Sequence, residues 1–99
     1  MRPIHVAQLD KARPVLLLTR ELVRPHLTTV TIAPITTTVR GLSTEVKLDA
    51  ANGLSARSVV SCDNITTIPI EALRDQIGVL LDDQESQLSA AIRAAFDLD

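Results

Sequence analysis

Aromatic side chains are nearly missing from this chain: Phe96 is the one example in 99 residues, and there is no Trp or Tyr. Platforms that hold single-stranded nucleic acid by stacking bases on aromatic rings therefore have almost no material here. Cysteine is as scarce, since a lone Cys62 allows no internal disulfide. Its setting, Ser-Val-Val-Ser-Cys-Asp-Asn, suits a small buried thiol that packs as a hydrophobe better than a nucleophile. The two histidines, His5 and His26, are far apart, and no HExxH, CxxC or Asp-rich loop occurs, so no metal or other cofactor is expected. A GxSxG elbow and a phosphate-cradling glycine loop are absent too. No run approaches the roughly 18 apolar residues of a membrane span, and "MRPIHVAQLD" lacks the apolar stretch of a secretory signal. The expectation is a cytoplasmic protein with no membrane association.

What is present describes a globular chain: 45% hydrophobic, 22% charged and only three glycines. At this length one domain over residues 1–99, with a single core, is expected. The net charge of −2 argues against a polyanion partner when taken whole, but it conceals an asymmetry. Residues 1–47 carry seven cations and three acids, residues 48–99 three cations and nine acids. A polyanion feels mainly the charges it touches, because screening acts over about 8 Å in physiological salt. A scattered, solvated surface explains the same charges equally well.

The hydrophobic pattern is mainly that of strands. "IHVAQL" and "PVLLLT" are short and apolar, and the second, unbroken, suits a strand covered on both faces. "TTVTIAPI" alternates threonine with Val30 and Ile32, and "TEVKL" alternates again after Arg40-Gly41, where glycine suits a turn. "RSVVSCDNITTI" predicts one long strand. Pro69 then suits the first position of a short helix over "PIEALRDQ", ended by Gly78 and followed by a small strand, "GVLL". Near the C-terminus, Leu88, Ala91, Ile92, Ala95 and Phe96 share one helical face, with Asp82 and Glu85 spaced as an acidic capping box. Six or so strands and two helices predict a small, strongly curved antiparallel barrel carrying helices.

Arg13 opens the second predicted strand and Thr36 closes the third. If those strands are neighbours, a permanent cation and a hydroxyl meet at a sheet rim, a pair suited to a phosphodiester. A threonine run at a strand end is also what β-propensity alone produces, and an arginine before proline is commonly just surface.

Three blocks, "RPVLLLTRE", "TVTIAPITTTVRGLSTEV" and "SVVSCDNITTI", stand in an order and at separations that resemble the MazF/PemK family of toxin endoribonucleases, in particular its mycobacterial members. The likeness runs from Arg13 to Leu80 and on into the terminal helix. It implies an SH3-like barrel with helices, dimerisation, and metal-free cleavage of single-stranded RNA by attack of a ribose 2′-OH on the adjacent phosphate. That chemistry leaves a 2′,3′-cyclic phosphate and a 5′-hydroxyl. It also implies a cognate MazE-like antitoxin. By position, the resemblance makes Arg13 and Thr36 the catalytic pair, Arg13 on the phosphate and Thr36 stabilising the pentacoordinate transition state. An arginine is a poor general base at neutral pH, so electrostatic stabilisation is the role chemistry favours for Arg13. His5 falls where relatives carry an aromatic residue, which implies packing or base stacking. Thr37, Thr38, Arg40 and Asn64 are the further candidates for holding RNA.

The chain departs from that family's pattern in three ways. The first interstrand loop is only Asp10-Lys11-Ala12; Asn64 and Thr66 stand where relatives have Gln and Arg; and aromatic platforms are wanting. Two other readings share the barrel. One is a CcdB-like gyrase-binding toxin, whose terminal Trp-Gly-Ile is replaced here by Asp97-Leu98-Asp99; the other is a non-catalytic interaction module.

Overall fold

A computed structural model describes residues 1–99, the side chain of Leu22 excepted. Its chain runs β1 (Arg2–Gln8), β2 (Ala12–Leu17), β3 (Thr29–Thr36), β4 (Glu45–Leu48), β5 (Ser58–Ser61), β6 (Thr66–Pro69), β7 (Leu73–Leu80) and α1 (Glu85–Ala95), joined by short 3-10 turns. All the strand pairings are antiparallel, in the order β4-β5-β3-β2-β1-β7, with β6 also on β3. The sheet curls into a half-barrel closed by α1, so the mainly β architecture with a terminal helix is as the sequence predicts.

β3 organises this sheet because both its edges are used. Leu16↔Ala33 and Leu17↔Ile32 pair it with β2, while β5 takes the other edge at Ile35 and Thr36 and β6 takes it from Thr29 to Ile32. Strands of this kind bury both faces. Leu16, Ala33 and Ile35 point to one side, where Ile4, Val46, Val60, Leu80 and the helix residues Leu88 and Ala91 cover them. Val15, Leu17, Val30 and Ile32 point to the other side, with Ala7 and Ile68. Each fully buried aliphatic side chain contributes about 1.5–3 kcal/mol, which is why "PVLLL" shows no polar alternation. The apolar interior thus falls into two clusters, one on each face, where a single core is the expectation from length.

Four expectations need correction. "RSVVSCDNITTI" is no continuous strand: Cys62–Asn64 form a 3-10 turn between β5 and β6. Ile35↔Val60 and Ile32↔Thr66 differ in register by three residues, so this turn absorbs the surplus while the chain keeps to the same edge of β3. "PIEALRDQ" is not a helix; after a 3-10 turn over Ile70–Ala72 the chain enters β7, which includes Gly78. Helix-forming side chains yield there to the unpaired edge of β1, which β7 covers from Arg2↔Leu80 to Ala7↔Leu73. The capping box of Asp82 and Glu85 does not form, because Glu85 bonds Arg2 and it is Gln84 Oε1 that accepts the Leu81 N–H, at 2.9 Å. Phe96 lies just past α1 and is exposed rather than packed.

Candidate functional site

The β2–β3 pairing advances one residue at a time to Val15↔Pro34, and continued by two residues it sets Arg13 level with Thr36. Both side chains, with Thr37, Lys11 and Ser58, line one cleft of about 220 Å³ at the sheet rim. A residue from the start of one strand and one from the end of its antiparallel neighbour therefore line the same cleft.

Arg13 is not loose in that cleft. Its Nε donates to Asp10 Oδ1 at 2.9 Å and its Nη2 to Oδ2 at 3.0 Å, a bidentate pair across the short β1–β2 turn. The guanidinium hydrogen bond holds Asp10 down at about 2, against an ordinary 3.8, and Asp10 in turn pushes Arg13 further up from its already high value. Two of the five guanidinium N–H groups are engaged, which leaves three for an anion. Thr36 is oriented as well: its Oγ1 accepts the Thr38 N–H at 3.1 Å, so its own proton is free to be donated.

A second cleft, about 390 Å³, adjoins through Thr36 and is lined also by Thr38, Arg40, Glu45, Ser61, Asp63 and Asn64. Thr38, Arg40 and Asn64 thus join Thr36 there, as Thr37 joins it in the first cleft. His5 lies in neither. It stands on β1 opposite Val15 and donates Nδ1–H to the Arg74 carbonyl at 2.8 Å, which leaves Nε2 as the acceptor of the neutral ring.

Three acids here escape the sequence reading. Asp10 is signalled only by its spacing three residues before Arg13; Glu45 and Asp63 sit in apparently ordinary strand and turn patterns. Asp63 Oδ2 accepts the Thr44 hydroxyl at 2.6 Å, and the Glu45 carboxylate accepts backbone N–H groups of the β3–β4 loop. Among the described residues, no three His, Cys, Asp or Glu side chains converge as a metal site requires. Cys62 is buried beside these clefts in sequence but not in chemistry, its thiol pushed up to about 11 by desolvation and, secondarily, by Asp63.

Comparison with known proteins places the fold and the family. A family model described as PemK-like, MazF-like toxin of type II toxin-antitoxin system matches residues 3–96. Endoribonuclease MazF3 of Mycobacterium tuberculosis is 72% identical over 99 residues, spanning 100% of this chain and 96% of the relative. The structure of Mycobacterium tuberculosis toxin MazF-mt6 superposes with a TM-score of 0.97 at 71% identity, covering 99% of each chain. A mycobacterial endoribonuclease in complex with its cognate antitoxin shares the fold at a TM-score of 0.87 and 24% identity, over 98% of this chain and 93% of its own. With a family match over nearly its whole length, the chain belongs to the PemK-like, MazF-like toxins of type II toxin–antitoxin systems.

Proposed function

We infer that this chain is an endoribonuclease toxin and propose that it cuts single-stranded RNA without a metal, using Arg13 and Thr36 on one scissile phosphate. The observation that carries the reading is the shared cleft: Arg13, whose guanidinium keeps three N–H groups uncommitted, and Thr36, whose hydroxyl proton is unused, both line it. In the reaction the ribose 2′-OH attacks the adjacent phosphorus, the bond to the 5′-oxygen breaks, and a 2′,3′-cyclic phosphate and a 5′-hydroxyl result. Negative charge builds on the non-bridging oxygens as the fifth bond forms. Donors already aimed at that charge lower the barrier by about 3–4 kcal/mol each.

Arg13 acts as an electrostatic stabiliser. Asp10 raises the guanidinium above its already high value, so it has no proton to give up and no lone pair to offer at neutral pH. Asp10 itself, held near 2, is a weak base and serves to set the plane of the fork. Thr37, Thr38, Arg40 and Asn64 hold the RNA on either side of Thr36, while His5, which lines neither cleft, is tied to the Arg74 carbonyl on β7. Membership of a type II toxin family supports a MazE-like antitoxin as the cellular partner, and a homodimer as the working form. No helix among the described residues is long and apolar enough to cross a membrane, and cytoplasmic action on mRNA, rRNA or tRNA fits the reading.

The test is the chemistry of the ends. Mixed-sequence single-stranded RNA incubated with the purified protein in EDTA is expected to give fragments that polynucleotide kinase labels without prior phosphatase treatment. Fragments that need phosphatase first, or cleavage abolished by EDTA, contradict the proposal.

A further inference from the structure

A carboxylate is out of place in a cleft meant for a polyanion, yet Glu45 lines the cleft that adjoins Thr36. Its oxygens are taken up by backbone donors. The Gly41 N–H donates to Oε1 at 2.8 Å, that of Leu42 to Oε1 at 3.1 Å, and that of Arg40 to Oε1 and Oε2 at 3.2 and 3.3 Å. Three successive backbone donors thus converge on one side chain, the concave arrangement that elsewhere binds free anions. Gly41 makes the turn possible with φ +74°; a Cβ there would meet open space, so it is the left-handed backbone, not room, that calls for glycine.

Little else shapes this loop. Residues 37–43 are exposed and carry no regular structure, and among the described residues only Thr38 N–H to Thr36 Oγ1 and Glu45 N–H to the Leu42 carbonyl tie it down besides the Glu45 bonds. In the middle stands Arg40, whose backbone is gripped while its guanidinium makes no hydrogen bond or ion pair among the described residues. A cation with a fixed stem and an uncommitted head, on the wall beside Thr36, is set to meet a phosphate, because a preorganised loop loses less entropy when it binds.

We propose that Glu45 is a positioning residue: by filling the Arg40–Leu42 backbone nest it holds the Arg40 guanidinium over the second cleft, where it grips an RNA phosphate flanking the scissile one. The proposal rests on the endoribonuclease reading of the same site. It opposes the simple charge argument, under which removal of an acid from an RNA cleft strengthens binding.

Affinity for a mixed-sequence pool of 2′-O-methyl RNA, which lacks the attacking hydroxyl, separates the two. The wild type is compared with Glu45→Ala, Glu45→Gln, Arg40→Ala and the Glu45→Ala/Arg40→Ala double variant, each checked by thermal melting. Glu45→Ala and Arg40→Ala are each expected to weaken binding about tenfold and to lower the salt slope by about 0.7. The double variant is expected to bind no worse than Arg40→Ala, since one residue acts through the other. Glu45→Gln keeps Oε1, which accepts all three N–H groups, and restores wild-type affinity or better.

Tighter binding by Glu45→Ala, additive losses in the double variant, or a Glu45→Ala protein that melts early but binds as wild type each overturns the proposal. A wild type that binds this RNA but fails to cut the unmodified pool sinks the nuclease reading alone. One that does not bind RNA sinks both.

Discussion

Asp10 and Arg13 face each other three residues apart, joined by two parallel hydrogen bonds of 2.9 and 3.0 Å, and Arg13 lines one cleft with Thr36. The turn between β1 and β2, short as it is, therefore brings a carboxylate back onto the cation of the next strand. Anything that removes the carboxylate charge releases the guanidinium.

The first prediction follows from the sign of that coupling. Asp10 is depressed to about 2 in the folded chain against 3.8 for the free group, so its contribution to stability is present above 3.8 and is lost as pH falls to about 2. A carboxyl-carbon NMR titration is expected to show an Asp10 midpoint near 2, returning towards 3.8 in Arg13→Ala. An unshifted midpoint in the wild type contradicts the pair.

Buried Asn52 gives a second. Its Oδ1 accepts the Asp49 N–H at 3.1 Å, and its Nδ2 donates to the Val79 carbonyl at 3.0 Å and to Gln84 Oε1 at 2.6 Å. It ties the segment after β4 to β7 and to the start of the C-terminal helix. Asn52→Ala leaves these partners unpaired and is expected to cost about 3 kcal/mol in urea unfolding. Gly78→Ala is expected to cost a similar amount, because a Cβ there overlaps the Asn52 carbonyl. A loss below about 0.5 kcal/mol for either contradicts the packing described.

Cys62 gives a third, in the opposite sense. With the thiol buried and its pKa raised to about 11, hardly any thiolate exists at mildly alkaline pH. Ellman's reagent is expected to leave the native chain unmodified and to titrate one thiol only after denaturation. Rapid native labelling, or loss of RNA cleavage in Cys62→Ser with the fold retained, contradicts an inert core role.

Much of this fold is legible in the order of side chains. Alternation in "TTVTIAPI" and "TEVKL", and the unbroken "PVLLL", correspond to β3, β4 and β2 because half-buried and doubly buried strands impose those patterns. The failures have local causes. In β7 the residues from Arg74 to Ile77 are exposed, so no alternation marks them and helix propensity misleads. Between β5 and β6 the β-branched run continues straight through a 3-10 turn, visible only because β3 accepts both strands out of register. At the site, the places of Arg13 and Thr36 at strand ends leave an ordinary surface open, and it is the family resemblance that singles them out. Asp10 and Glu45 cannot be picked out, since their partners are a side chain across a turn and a row of backbone amides, which leave no periodic trace.

Arg13 and Thr36 are proposed to act together on one phosphate. Single-turnover cleavage of RNA in EDTA by the wild type, Arg13→Ala, Thr36→Val and Thr36→Ser, all with unchanged melting, decides whether they do. Losses of about 10²–10³-fold are expected for the first two variants and a near wild-type rate for Thr36→Ser, which keeps the hydroxyl. Full activity in Arg13→Ala or Thr36→Val would contradict that joint action.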